Sequence, residues 1–169
     1  MRRTLISLLA LVLSLPAFSQ DLLTRIREVN MTPTLQAAWH RTYHSPLLEQ
    51  PLESDGMVYI QEPSRLRWET VSPIPSIIVF TGEEERSRFR MPSEKDFSAE
   101  ILEGEQYTVV LTPVRRDLKQ LFKQILLTAD TTSLVLSQVI IKGRDGDWTL
   151  LAFKDIKHNV ALPATLFQK

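Results

Sequence analysis

The chain contains no cysteine. That excludes disulfides, thiolate metal sites and a cysteine nucleophile, so stability has to come from packing and backbone hydrogen bonding. Only 5 of its 169 residues are glycine. Neither a glycine-rich phosphate loop nor a Gly-x-Ser-x-Gly elbow is present, which removes the usual supports of nucleotide-binding and hydrolase chemistry. Excess charge is missing too: 20 Lys and Arg balance 20 Asp and Glu, and nothing argues electrostatically for nucleic acid. No apolar run reaches the roughly 20 residues that a membrane-spanning helix needs.

The N-terminus is patterned for export. Arg2 and Arg3 precede the apolar run Leu5 to Leu15, and Pro16 and Ala17-Phe18-Ser19 stand ahead of Gln20, which is the order of a secretory signal peptide and its small-residue cleavage site. Residues 1–19 are therefore expected to be removed, leaving 20–169 as a single domain able to bury about 70% of the surface its unfolded chain exposes. Loss of Arg2 and Arg3 turns 20 basic against 20 acidic residues into 18 against 20, a formal net charge of −2. No cysteine follows the apolar run to take a lipid anchor, so the expected product is a soluble protein of the periplasm.

Residues 21–30 place Leu22, Ile26 and Val29 on one helical stripe opposite Arg25 and Glu28, with Asp21 as N-cap. Thr32-Pro33 ends that helix. Beyond it, Leu35, Ala37, Trp39, Arg41 and Tyr43 alternate with their neighbours as a long strand would. From Leu52 to Gly82, three β-type runs are separated by Pro63 and Pro73, with Val58, Ile60, Leu66 and Trp68 at the period of two that puts side chains on one sheet face. Glu83 to Arg86 reads as a charged turn, and Ser87–Met91, Phe97–Leu102 and Tyr107–Leu111 as further strands. Asp117 to Phe122 reads as one helical turn, followed by a strand over Gln124–Ala129. A hairpin over Leu134–Lys142 and Asp147–Phe153 turns at Gly143-Arg144-Asp145-Gly146. The sum is a mainly β domain, a sheet curling toward a barrel behind one amphipathic helix.

Catalytic constellations are sparse. His40 and His44 have the spacing that shares a metal on a helix, but on a strand it separates them by about 13 Å. His158 has no partner visible in the sequence and is expected in a loop. Glu83-Glu84-Glu85 reads as a solvated charge cluster. Arg115-Arg116 with Lys119 and Lys123 forms a small basic patch that either faces solvent or meets lipid head groups or a partner. The apolar set Leu35, Trp39, Val58, Ile60, Leu66, Trp68 and Ile78 fits both a filled core and an open apolar cavity, which periodicity does not separate.

The segment Gly56-Met57-Val58-Tyr59-Ile60, Pro63, Arg65-Leu66-Arg67-Trp68-Glu69, Pro73 and Gly82 resembles the pattern of the periplasmic outer-membrane lipoprotein carrier family, LolA. Tyr107 to Pro113, Leu118 to Leu127, Gly146-Asp147-Trp148-Thr149, Phe153, Asn159 and Phe167 resemble its later strands and ending. The resemblance implies an unclosed antiparallel β half-barrel whose apolar concave face, here Leu35, Trp39, Val58, Ile60, Leu66, Trp68 and Ile78, holds acyl chains under a helical lid or plug, here Leu22, Ile26 and Val29. It implies a carrier without enzymatic activity or cofactor, which takes an acylated lipoprotein or other lipid from inner-membrane to outer-membrane transfer proteins, as a monomer. Two alternatives stand beside it: a carrier of a different lipid or polyene, and a protein-interaction module using the same groove. Two positions depart from the family. Glu62 stands where other members have an arginine that holds the lid, and only fourteen residues separate Gly82 from Phe97, where members have a longer insert with the lid helices. The resemblance is thus to a shortened member.

Overall fold

Alternation of apolar and polar residues after Pro33 gives the first strand, β1 (Thr34–His44), and around it the chain lays down two meanders. We describe residues 20–62, 65–82 and 94–168 of a computed structural model. Helix α1 (20–30) is followed by β1, β2 (Leu52–Gln61), β3 (Arg65–Ser72) and β4 (Ser76–Phe80). Then come β5 (Phe97–Leu102), β6 (Tyr107–Pro113), the one-turn helix α2 (Arg116–Leu121), β7 (Phe122–Ala129), β8 (Leu136–Gly143) and β9 (Trp148–His158). Short 3-10 turns lie at Glu94–Asp96 and Ala164–Phe167. The strands form a single antiparallel sheet of nine in the order β4-β3-β2-β1-β9-β8-β7-β6-β5. The two meanders are joined where β9 returns to pair with β1, and among the described residues β4 and β5 stand at the two ends of the order.

Register assigns the faces. Leu35 pairs with Ile60 and Ala37 with Val58, Val58 with Trp68 and Ile60 with Leu66, and Trp68 with Ile78. On the other side Trp39 pairs with Phe153 and Arg41 with Leu151, and the row continues through Val139, Leu127, Val109 and Ile101. Directly opposed residues share a face, so one inner face runs through all nine strands. Register shifts keep it apolar. The shift opposite Gln36 and Ala38 includes Asp155, at φ 51°, and turns both Phe153 and Ile156 inward. A second, between Thr128 and Ala129, brings Leu136 onto the face that carries Val139 and Ile141.

Several expectations need correction. Asp21 lies within α1, which already includes Gln20, and is not its cap. Strand β8 begins at Leu136, because Leu134 adopts φ 60° in the turn before it. Strand β9 does not stop at Phe153 but crosses the Asp155 bulge to His158. His158 therefore ends a strand and has a partner, its Nδ1 lying 3.1 Å from Thr32 Oγ1. The expected export segment 1–19, Pro63, the charged turn at 83–86 and the strand at 87–91 lie outside the described residues.

The opposite face is held down at its β3 end by the C-terminal segment. Arg67, paired across the ladder with Tyr59, donates from Nη1 to the Leu166 carbonyl at 2.8 Å and pairs with Glu69. Phe167 is buried, with the Arg65 guanidinium 6.0 Å from its ring centre. Burial here pushes the Tyr59 hydroxyl above its ordinary pKa, and the Glu69 charge adds to the effect.

Candidate functional site: the inner apolar face

Two clusters divide the inner face. In the first, Leu22 and Ile26 of α1 are buried against Val109, Ala129 and Leu134, with Val29, Ile101, Leu111, Leu127 and Leu136 packed around them. The positions i, i+4 and i+7 of the helix are thus spent on the β5–β8 half. Asn30 fastens the end of the helix to the sheet: its amide donates to the carbonyls of Ile26 at 2.7 Å and Leu134 at 2.8 Å, and its carbonyl accepts from the Leu136 N–H at 2.9 Å. The turn that presents Leu134 is itself held by Asp130, which accepts from Ser133 N–H at 2.6 Å, Thr132 N–H at 3.0 Å and the Ser133 hydroxyl at 2.9 Å. Those bonds, the Ser133 N–H first, draw the Asp130 carboxyl below its ordinary range.

The second cluster is aromatic and is made by strands. Ala37, Trp39 and Val58 are buried, and Leu35, Ile60, Trp68, Leu151, Phe153 and Ile156 pack around them, all from β1, β2, β3 and β9. The rings of Trp39 and Trp68 stack with centres 4.7 Å apart and planes at 25°. Gly56 makes room for this: it lies opposite Trp39 in the register, and a Cβ there would come within 1.8 Å of the Glu69 carbonyl oxygen and 2.5 Å of the Trp39 indole. The glycine that begins the Gly-x-Val-x-Ile run is therefore a contact requirement.

The expected groove residues are distributed unevenly. Leu35, Trp39, Val58, Ile60 and Trp68 come together in the aromatic cluster. Leu66 shares their face through its pairing with Ile60, and Ile78 through its pairing with Trp68. Trp39 and Val58 are each only 3% exposed, however, whereas Ile78 on the edge strand is 52% exposed. The face thus grades from a closed centre at β1 to an open margin at β4. Leu22, Ile26 and Val29 do cover the inner face, but over the β5–β8 half. Ala37, Leu151, Phe153 and Ile156 are cluster residues outside the expected set; Ile156 was hidden by the bulge, which breaks the period of two. Three buried polar atoms on this side of the sheet, Trp39 Nε1, Ser54 Oγ and His158 Nε2, have no hydrogen-bond partner among the described residues. His40 and His44 sit on the opposite face, where His40 Nδ1 lies 2.7 Å from Asp55 Oδ1 and His44 stacks on Trp148. Among the described residues no three His, Asp or Glu side chains are grouped to hold a metal ion.

An open antiparallel sheet with a helix packed on one half of its apolar face is a scaffold with counterparts among solved structures. The family model "Outer membrane lipoprotein carrier protein LolA" matches residues 30–85 of this chain, the segment containing β1 to β4. Over 52 residues the chain is 38% identical to an outer-membrane lipoprotein carrier protein of Dechloromonas aromatica (strain RCB), a match covering 31% of this chain and 25% of that protein. The match thus spans about a quarter of that relative's length. The fold extends further than the sequence match. The LolA superfamily protein NE2245 from Nitrosomonas europaea superposes with a TM-score of 0.51 at 14% identity, over 89% of this chain and 97% of that one. The Pseudomonas aeruginosa MucA/MucB complex contains a chain that superposes with a TM-score of 0.53 at 12% identity, over 88% of this chain and 60% of that one. The sequence likeness to the LolA family model is thus confined to the first meander, whereas the likeness of fold to these solved structures extends over most of the chain.

Proposed function

We propose that the protein is a non-catalytic, exported carrier that shelters the acyl chain of a lipoprotein or related lipid against the β9–β1–β2–β3–β4 half of its inner face. The observation that carries this reading is the division of that face. One half is filled by α1, whereas among the described residues the other is closed only by strand side chains, with the Trp68 ring over Trp39, and grades toward the half-exposed Ile78. An acyl chain gains about 0.8 kcal/mol for each methylene taken from water, so a lipid cannot cross an aqueous compartment without such a surface. Entry exchanges side-chain contacts for acyl contacts as Trp68 and its neighbours move aside. That exchange keeps binding from becoming too tight to release. The unpartnered Trp39 Nε1 is suited to an ester or amide carbonyl at the head of the chain, which would relieve the cost of a buried donor left without an acceptor. The curated relative, named a lipoprotein carrier, and the export pattern of residues 1–19 support delivery in the periplasm between inner-membrane and outer-membrane partners.

Native mass spectrometry of protein purified from its own periplasm tests the reading. Bound acylated species are expected. A clean apo mass accompanied by a stable protein partner would instead favour an interaction module, the use for which the MucA/MucB complex offers a precedent on this fold. Leu66→Glu is expected to leave the sheet folded while removing most of the bound lipid, since it places a charge on the apolar face. Unchanged lipid retention by a folded Leu66→Glu protein would sink the assignment.

A further inference from the structure

One end of the sheet gathers features that the inner face does not use. The loops β1–β2, β3–β4 and β6–β7 and the turn β8–β9 all lie there, because Leu111, Ile125, Ile141, Thr149, Tyr43 and Leu52 form one paired row just inside them. Leu47, Leu52, Val71, Ile74, Val114 and Leu121 project from this end, each at least half exposed, with Ile74 at 77% and Leu121 at 68%. Beside Val114 and Leu121 is an open hollow of about 460 Å³, lined by Thr112, Pro113, Lys119, Phe122, Lys123 and Arg144.

Its walls are tied together and its charge is unspent. Arg144 Nη1 donates to the Lys119 carbonyl at 2.8 Å, joining the hairpin turn to α2, and the Phe122 ring stacks on Phe97 with centres 5.9 Å apart. Arg115 engages the carboxylates of Asp96, at 3.1 Å, and Asp117, and Asp147 is turned against Gly143. Lys119 and Lys123 have no carboxylate within ion-pair distance among the described residues. A cationic hollow flanked by exposed aliphatic side chains matches a phospholipid surface, with a phosphate to enter the hollow and an acyl boundary for Val114 and Leu121.

We propose that this loop end docks on a bilayer containing anionic phospholipid, with the hollow formed by Lys119, Lys123 and Arg144 taking a headgroup phosphate. The proposal deepens the carrier reading and rests on it for the compartment in which such a membrane is met. Cosedimentation of the exported protein with vesicles tests it, using phosphatidylcholine alone and phosphatidylcholine with about a third phosphatidylglycerol, at low and high salt. Binding is expected only to the mixed vesicles and is expected to fall with salt. Lys119→Gln/Lys123→Gln should weaken it about thirty-fold, and Val114→Ser/Leu121→Ser should weaken it further at constant charge. All four side chains are exposed or nearly so, and an unchanged thermal transition confirms that the variants fold. Equal binding of the wild type and the lysine variant would overturn the proposal. So would binding of inorganic phosphate, seen as chemical-shift changes at Lys119 and Lys123, without any binding to vesicles. Acyl-lipid retention is read on the same samples by mass spectrometry, so loss of docking with lipid retained is distinguishable from failure of carriage itself.

Discussion

The helix-covered half of the inner face and the tryptophan-lined half use the same strand alternation but are closed by different means. Over β5–β8, a continuous helical stripe supplies Leu22 and Ile26, and the Asn30 amide locks the helix end to two backbone positions of the neighbouring turn. Over β9–β3, no residue of α1 takes part in the cluster, and one indole stacks on another. The first closure is bonded and continuous, whereas the second depends on side-chain rotamers. A surface that must admit and release an acyl chain is better placed under the second, because rotamers change without unfolding a helix.

Substitutions can break that contrast. The largest effect is expected at Gly56→Ala, where the new methyl meets a backbone carbonyl that cannot move without opening the β2–β3 ladder; a loss of about 3 kcal/mol or more in denaturant unfolding is expected. Ile26→Ala should cost about 2–5 kcal/mol by leaving a cavity under α1. A gain in lipid loading with stability unchanged would instead make the helix a removable cover and erase the distinction between the halves. Asn30→Ala should cost about 1–3 kcal/mol, since it strands the Leu136 N–H, and should raise hydrogen exchange in α1 more than in β1.

The smallest effect concerns pH. The Asp130 carboxyl is drawn below the ordinary aspartate range in the native state, so its contribution to stability is fully present above that range and is lost as pH falls through the lower native value. Loosening of the Leu134 turn is therefore expected only below about pH 4, and NMR of the α1 and Ser133 amides would report it. Asp117 behaves in the same sense at the loop end, lowered to about 2 chiefly by its hydrogen bond from Arg115.

Much of this arrangement is legible in the chain. Alternation in 34–44, 52–61 and 65–72, the glycine-bounded turn at 143–146 and the stripe Leu22, Ile26 and Val29 all correspond to elements found in the structure. These are local signals, carried by periodicity and turn residues. What stayed hidden depends on contacts between distant segments. The Asp155 bulge breaks the period of two and concealed that Phe153 and Ile156 share a face. Leu134 looked like the start of a strand, because an apolar residue in a left-handed conformation leaves no mark in the sequence. The choice of half for α1 is not local either: both halves offer apolar strand residues, and the contacts that hold the helix, from Leu22 and Ile26 and from the Asn30 amide to the β7–β8 turn, join segments far apart in sequence.

The central claim is that acyl chains occupy the tryptophan-lined half and leave the helix-covered half intact. Photo-cross-linking with a diazirine-bearing palmitic acid, mapped by peptide mass spectrometry, tests it most directly. Labels on β3, β4 and β9, at or beside Leu66, Trp68, Ile78 and Phe153, are the expected result. Labels concentrated on α1, at Leu22 or Ile26, or on Val109 and Leu127 beneath it, would contradict the claim.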